Sequence, residues 1–174
     1  MTTQQPQIYK ALYDVITSWI EKDGNKYQAF YPFQDNPIDT KNGYISFFKL
    51  PQKMIVNRSE SLDNQGALTV SITETAEIQI DIIRYIDYAD EANNSDNVAL
   101  RLKTWLATRQ AWSEFSKYEL DLAHILSDLT TDGYYNEKKK WIQRSFFRLK
   151  FYYESKVTSK DTPLENFIIE TKPI

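Results

Sequence analysis

The chain has 174 residues, 41% of them hydrophobic and 14% aromatic, enough for one domain that buries roughly 70% of the surface its unfolded form exposes. With 21 Lys and Arg against 24 Asp and Glu, its net charge is −3 and its pI about 5.3, the wrong sign for a protein that coats nucleic acid non-specifically. The absence of cysteine excludes disulfides, thiolate metal sites and cysteine nucleophiles together.

Ile8, Leu12, Val15, Ile16, Trp19 and Ile20 recur at three- and four-residue spacing and predict a helix over Gln5 to Lys22, with Pro6 in its first turn and Gly24 as its stop. Its single apolar stripe should lie on a sheet. Tyr27 to Gly43, with Pro32, Pro37 and an Asn-Gly pair, reads as an irregular connection. A strand is expected from Tyr44 to Leu50. Pro51 interrupts it at an edge or bulge, and it continues near Lys53 to Arg58. "LDNQGALTVSITETA" reads as an exposed loop or hairpin tip. Ala76 to Tyr88 is the clearest strand, with Ile78, Ile80 and Ile82 on one face and Gln79, Asp81 and Ile83 on the other.

Ser95 or Asp96 is expected to cap a helix over Asn97 to Arg109, with Val98, Leu102, Trp105 and Leu106 inward and Arg101 and Lys103 outward. "QAWSEFSKY" predicts a further short helix. The last third reads as strands, with Asp132-Gly133 as a turn signal and a final strand near Phe167 to Glu170. The order predicts an α+β fold in one domain over 1–174: helices packed on one face of a mainly antiparallel sheet. The first residues, "MTTQQPQIYKALYDVI", hold no basic stretch followed by an apolar one, so no signal peptide is expected, and no apolar run approaches the ~18 residues of a membrane span.

"KKKWIQRSFFRLKFYYES", Lys138 to Ser155, holds six basic and six aromatic residues. Alternation splits it into a core face (Trp141, Gln143, Ser145, Phe147, Leu149, Phe151, Tyr153) and an outer face (Lys140, Ile142, Arg144, Phe146, Arg148, Lys150, Tyr152). The outer face has two readings. Arg144, Phe146, Arg148 and Lys150 could stack nucleic-acid bases. Alternatively, the long cations cover a wet or protein-contacting sheet, which the net charge favours. Lys138 to Lys140 are expected at a solvated hairpin tip.

Catalytic chemistry has little to stand on. His124 is the only histidine and has no partner motif, so it reads as structural; an enzyme would need a deep pocket around it. Asp87 to Asp96 lacks the glycine and spaced glutamate of a calcium loop. Four glycines form no phosphate loop, and Glu74 with Glu77, or Asp90 with Glu91, read as surface charge. Neither an enzyme nor a cofactor is expected.

The block from Glu74 to Phe115, followed by a hairpin whose second strand carries Trp141, Arg144, Phe147, Leu149 and Phe151, resembles the neck or tail-terminator proteins of tailed bacteriophages. The N-terminal helix and the "YISFFKL" strand sit where that family has them. The resemblance implies a structural virion protein, assembled in the bacterial cytoplasm. Six copies would close into a ring that caps the tail tube and joins it to the head connector. DNA would pass through without specific binding, and a mildly acidic lumen would avoid holding it. The hairpin residues Tyr134, Tyr135, Lys139, Arg144 and Arg148 and the loop residues Arg58, Asp63 and Asn64 are the candidate contacts. Tyr134 and Tyr135 could equally be core beneath the hairpin.

Overall fold

A computed structural model describes residues 2–4, 8–30, 42–63, 67–85, 93–135 and 141–159. In chain order these form β1 (Thr2–Gln4), α1 (Ile8–Asp23), β2 (Gln28–Phe30), β3 (Tyr44–Leu62), β4 (Leu68–Tyr85), α2 (Ser95–Leu106), α3 (Arg109–Ser116), β5 (Leu120–Ile125), β6 (Thr130–Tyr135) and β7 (Trp141–Ser159). The fold is α+β. The strands make one sheet in which β3, β4 and β7 run antiparallel side by side, and only the short β2–β3 pair is parallel.

β7 organises the sheet. One of its edges pairs with β4 along its whole length, from Ile142 opposite Tyr85 to Ser159 opposite Leu68. Its other edge takes three short strands end to end: β6 opposite Trp141–Phe146, β5 opposite Leu149–Tyr153 and β1 opposite Lys156–Thr158.

The core lies on one face. Ile45 and Phe47 of β3, Ile78, Ile80 and Ile82 of β4 and Phe147, Leu149 and Phe151 of β7 are buried there. They pack with Leu12, Val15, Ile16 and Trp19 of α1, Val98, Leu102 and Leu106 of α2 and Phe115 of α3. The Phe115 and Phe151 rings meet edge to face with centroids 4.9 Å apart. Gly24 closes α1 at φ +71, donating its N–H to the Ile20 carbonyl. Gly43, at φ +85, leaves room for the buried Tyr27 ring, which a Cβ would approach to 2.6 Å.

Several expectations are corrected. α2 begins earlier, capped by the Asn94 side chain, which accepts from the Asn97 N–H at 2.8 Å. Arg101 does not turn outward: its guanidinium forks onto Asp23 at 2.9–3.2 Å and ties α2 to the end of α1. Burial works against the Asp23 charge, but Arg101 and the Asn25 amide outweigh it and hold the carboxyl below its ordinary range.

Leu68 to Thr75 is strand, not loop, and Asp63, just after β3, exchanges hydrogen bonds with the backbone of Ala67, just before β4. Pro51 sits in a bulge within a strand that continues to Leu62. Asp132-Gly133 makes no turn. It lies inside β6, and Gly133 stands where a Cβ would collide with the Trp141 indole. Gln5, Pro6, most of the 27–43 connection, the 87–92 acidic stretch, Lys138 to Lys140 and Phe167 to Glu170 lie outside the described residues.

Candidate functional site

Two surfaces stand apart from the helix-backed core. The first is the opposite face of the sheet, where Tyr44, Ile83 and Arg144 share one row, Ser46, Asp81 and Phe146 the next, and Phe48, Gln79 and Arg148 the third. Asp81 is buried in the middle of it. It is held by Arg144 at 2.9 Å and by the Gln79 amide at 2.9 Å. The Arg144 guanidinium also lies 4.8 Å from the centre of the Phe146 ring, and Asp132 of β6 occupies the register position across from it. Burial, with Tyr134 and Asp81 nearby, pushes the Tyr44 phenol above its ordinary value. Arg144 is thus already engaged by a buried carboxylate. Arg148 is exposed, and Lys150 lies 6.0 Å from the centre of the Tyr152 ring.

The second surface is an arm. The core ends at the Ala76–Phe151 and Tyr153 positions, but the three long strands continue for about 20 Å. Residues 55–63 are all exposed, including Ile55 at 62%, Val56 at 52% and Leu62 at 51%. At the root of the arm the carboxylate of Glu74 is buried, correcting its reading as surface charge. It accepts from the Ser155 hydroxyl at 3.1 Å and from the Tyr153 phenol. Burial first, then this bond, pushes the Tyr153 pKa up to about 12.

The candidate contacts do not form one cluster. Arg58 and Asp63 lie on the arm; Tyr134, Arg144 and Arg148 lie on the helix-free face. About 50 Å of β7 separates the two ends of the sheet. Tyr134 and Tyr135 are both exposed, so neither is core; Tyr135 meets Trp141 edge to face at 4.9 Å. Asn64 and Lys139 lie outside the described residues. Asp81 is the residue that alternation alone passes over. Its signal is a carboxylate in mid-strand among isoleucines, which demands a cationic neighbour.

His124 is exposed on β5, beside an apolar hollow of about 240 Å³ lined by Leu106, Trp112, Leu122 and Ile125, with no second titratable group in its lining. A larger cleft of about 450 Å³ beside β5 and β7 carries Glu119, Asp121 and Glu154, but Glu154 is paired with Lys156 at 2.8 Å. Among the described residues no group of three or more His, Asp or Glu could hold a metal ion, and no helix is long and apolar enough to cross a membrane. No family model and no curated protein matches the chain.

Proposed function

We propose that the chain is a structural subunit of a tailed-bacteriophage neck, which closes into a ring, caps the tail tube and joins it to the head connector. The observation that carries this reading is the arm. A three-stranded extension with Ile55, Val56 and Leu62 exposed gains little from standing alone, and gains by lying against another protein. The order of elements, with a helix, a long hairpin, a helix pair and a second hairpin ending in Trp141 to Phe151, supports the same reading through its resemblance to neck and tail-terminator proteins. Six subunits, the tube and connector as neighbours, and a central DNA passage are what that resemblance implies.

The nucleic-acid alternative is weakened where it needs most strength. Of its stacking cations, Arg144 is bound to Asp81, and removing it from that acid would leave a buried charge unpaired. The test is light-scattering mass at rising concentration, with negative-stain images of the chain alone and mixed with purified tail tubes. Rings with an open centre, free or seated on tube ends, are expected. Bare tube ends and no ring would refute the reading. Salt-dependent retention of oligonucleotides by a non-ring species would establish the alternative.

A further inference from the structure

Beyond Ser46, no strand among the described residues pairs with the outer edge of β3. An open edge is a template for another strand, and proteins commonly guard it with bulges, prolines and lysines. The near part of this edge is guarded: it carries exposed Lys49 and Pro51, a register break between Lys49 and Lys53, and a second break between Ile55 and Asn57. The far part is not. From Asn57 to Leu62 the pairing with β4 is unbroken, every residue is exposed, and no proline or lysine interrupts it. On one side of this segment Arg58 and Glu60 stand together, 2.7 Å apart.

We propose that this segment pairs edge to edge with the same segment of a second copy, antiparallel about a two-fold axis at Ser59. The occupant follows from the charge pattern, which is complementary to itself in that register alone. With Ser59 facing Ser59, Arg58 of each copy faces Glu60 of the other and Asn57 faces Ser61. A slip of two residues in one direction sets Arg58 against Arg58; in the other direction it sets Glu60 against Glu60. Like charges directly opposite disfavour both. A slip of one residue turns each side chain to the wrong face, and a parallel in-register stack again places Arg58 beside Arg58. The result is a continuous six-stranded sheet across the axis, β7-β4-β3 meeting β3-β4-β7. This contact is independent of the ring. A two-fold interface closes on itself, so it joins two subunits or two rings and does not build a ring.

The chain has no cysteine, so Ser59→Cys introduces a single thiol. Facing residues of an antiparallel pair have Cα atoms about 4.5–5.5 Å apart, within the roughly 4.4–6.8 Å that a disulfide spans. Mild oxidation of S59C should therefore give a covalent dimer. Ser61→Cys should not link, because its own counterpart lies about 13 Å away along the strands. By light-scattering mass, Arg58→Glu should weaken the dimer at least roughly tenfold, and the charge-swapped R58E/E60R should restore it. Both positions are exposed, and circular dichroism confirms that the variants fold. Linking of S61C as fast as S59C, a mass indifferent to R58E, or a monomer at every concentration would overturn the proposal. Rings without an S59C link would overturn it and leave the ring standing; a linked dimer without rings would do the reverse.

Discussion

Single residues decide where this molecule resists change. Asp81 is buried on the helix-free face, and its charge is tolerable because Arg144 reaches it. Arg144→Ala should cost about 2 kcal/mol in chemical denaturation, less than for a wholly enclosed pair because Arg144 is itself partly exposed. Arg148→Ala, on the same face but exposed, should cost no more than about 0.5 kcal/mol. Tyr153 makes a pH prediction. Its phenol titrates near 10.0 in the unfolded chain and near 12 in the folded one, so between those values the unfolded chain gives up its proton first. The stability it contributes is intact below pH 10 and falls away as pH climbs through 12. Melting temperatures measured over this range should decline less steeply for Tyr153→Phe than for the parent chain; equal slopes would show that folding does not raise the phenol pKa. Residues of this kind are hard to read in advance. Glu74 looks like any surface acid until Ser155 and Tyr153, some eighty positions later, are laid beside it.

At the scale of elements, alternation was a dependable guide wherever one face is buried. Ile78, Ile80 and Ile82 mark β4, and Phe147, Leu149 and Phe151 mark β7, because helices cover that side. The same rule fails on the arm. Leu68 to Thr75 alternates weakly, since neither of its faces meets the helix layer, and its strand character comes from pairing with Arg58, Ser59 and Glu60 and with Ser155 and Lys156. Asp132-Gly133 misleads for another reason: the glycine makes room for an indole rather than for a turn. Of the candidate contacts, exposure of Arg58 was legible from position, whereas the exposure of Tyr135 and the engagement of Arg144 needed the register. These differences predict unequal opening. In hydrogen exchange, amides of Asn57–Leu62 and Leu68–Thr73 should exchange at least roughly 100-fold faster than those of Ile78–Ile82, because few apolar contacts hold the arm shut. Uniform protection in the isolated subunit would mean that something already covers it.

For the molecule as a whole, the β7 strand has a consequence for how the chain comes to be folded. Its partners β1, β4, β5 and β6 all precede it in the sequence, and each waits for it to form its ladder with β7. During synthesis the sheet cannot close until residue 159 has emerged, and the contacts that then form span long stretches of chain, such as Ile80 with Phe147. High separation of this kind makes folding slow. A fragment ending at residue 140 should lack cooperative thermal unfolding, although it contains all three helices. Until β7 arrives, the isoleucines of β4 are bare. The growing polypeptide therefore passes through a stage in which its stickiest strand has no neighbour on one edge, and the rate at which the last third is made sets how long that exposure lasts.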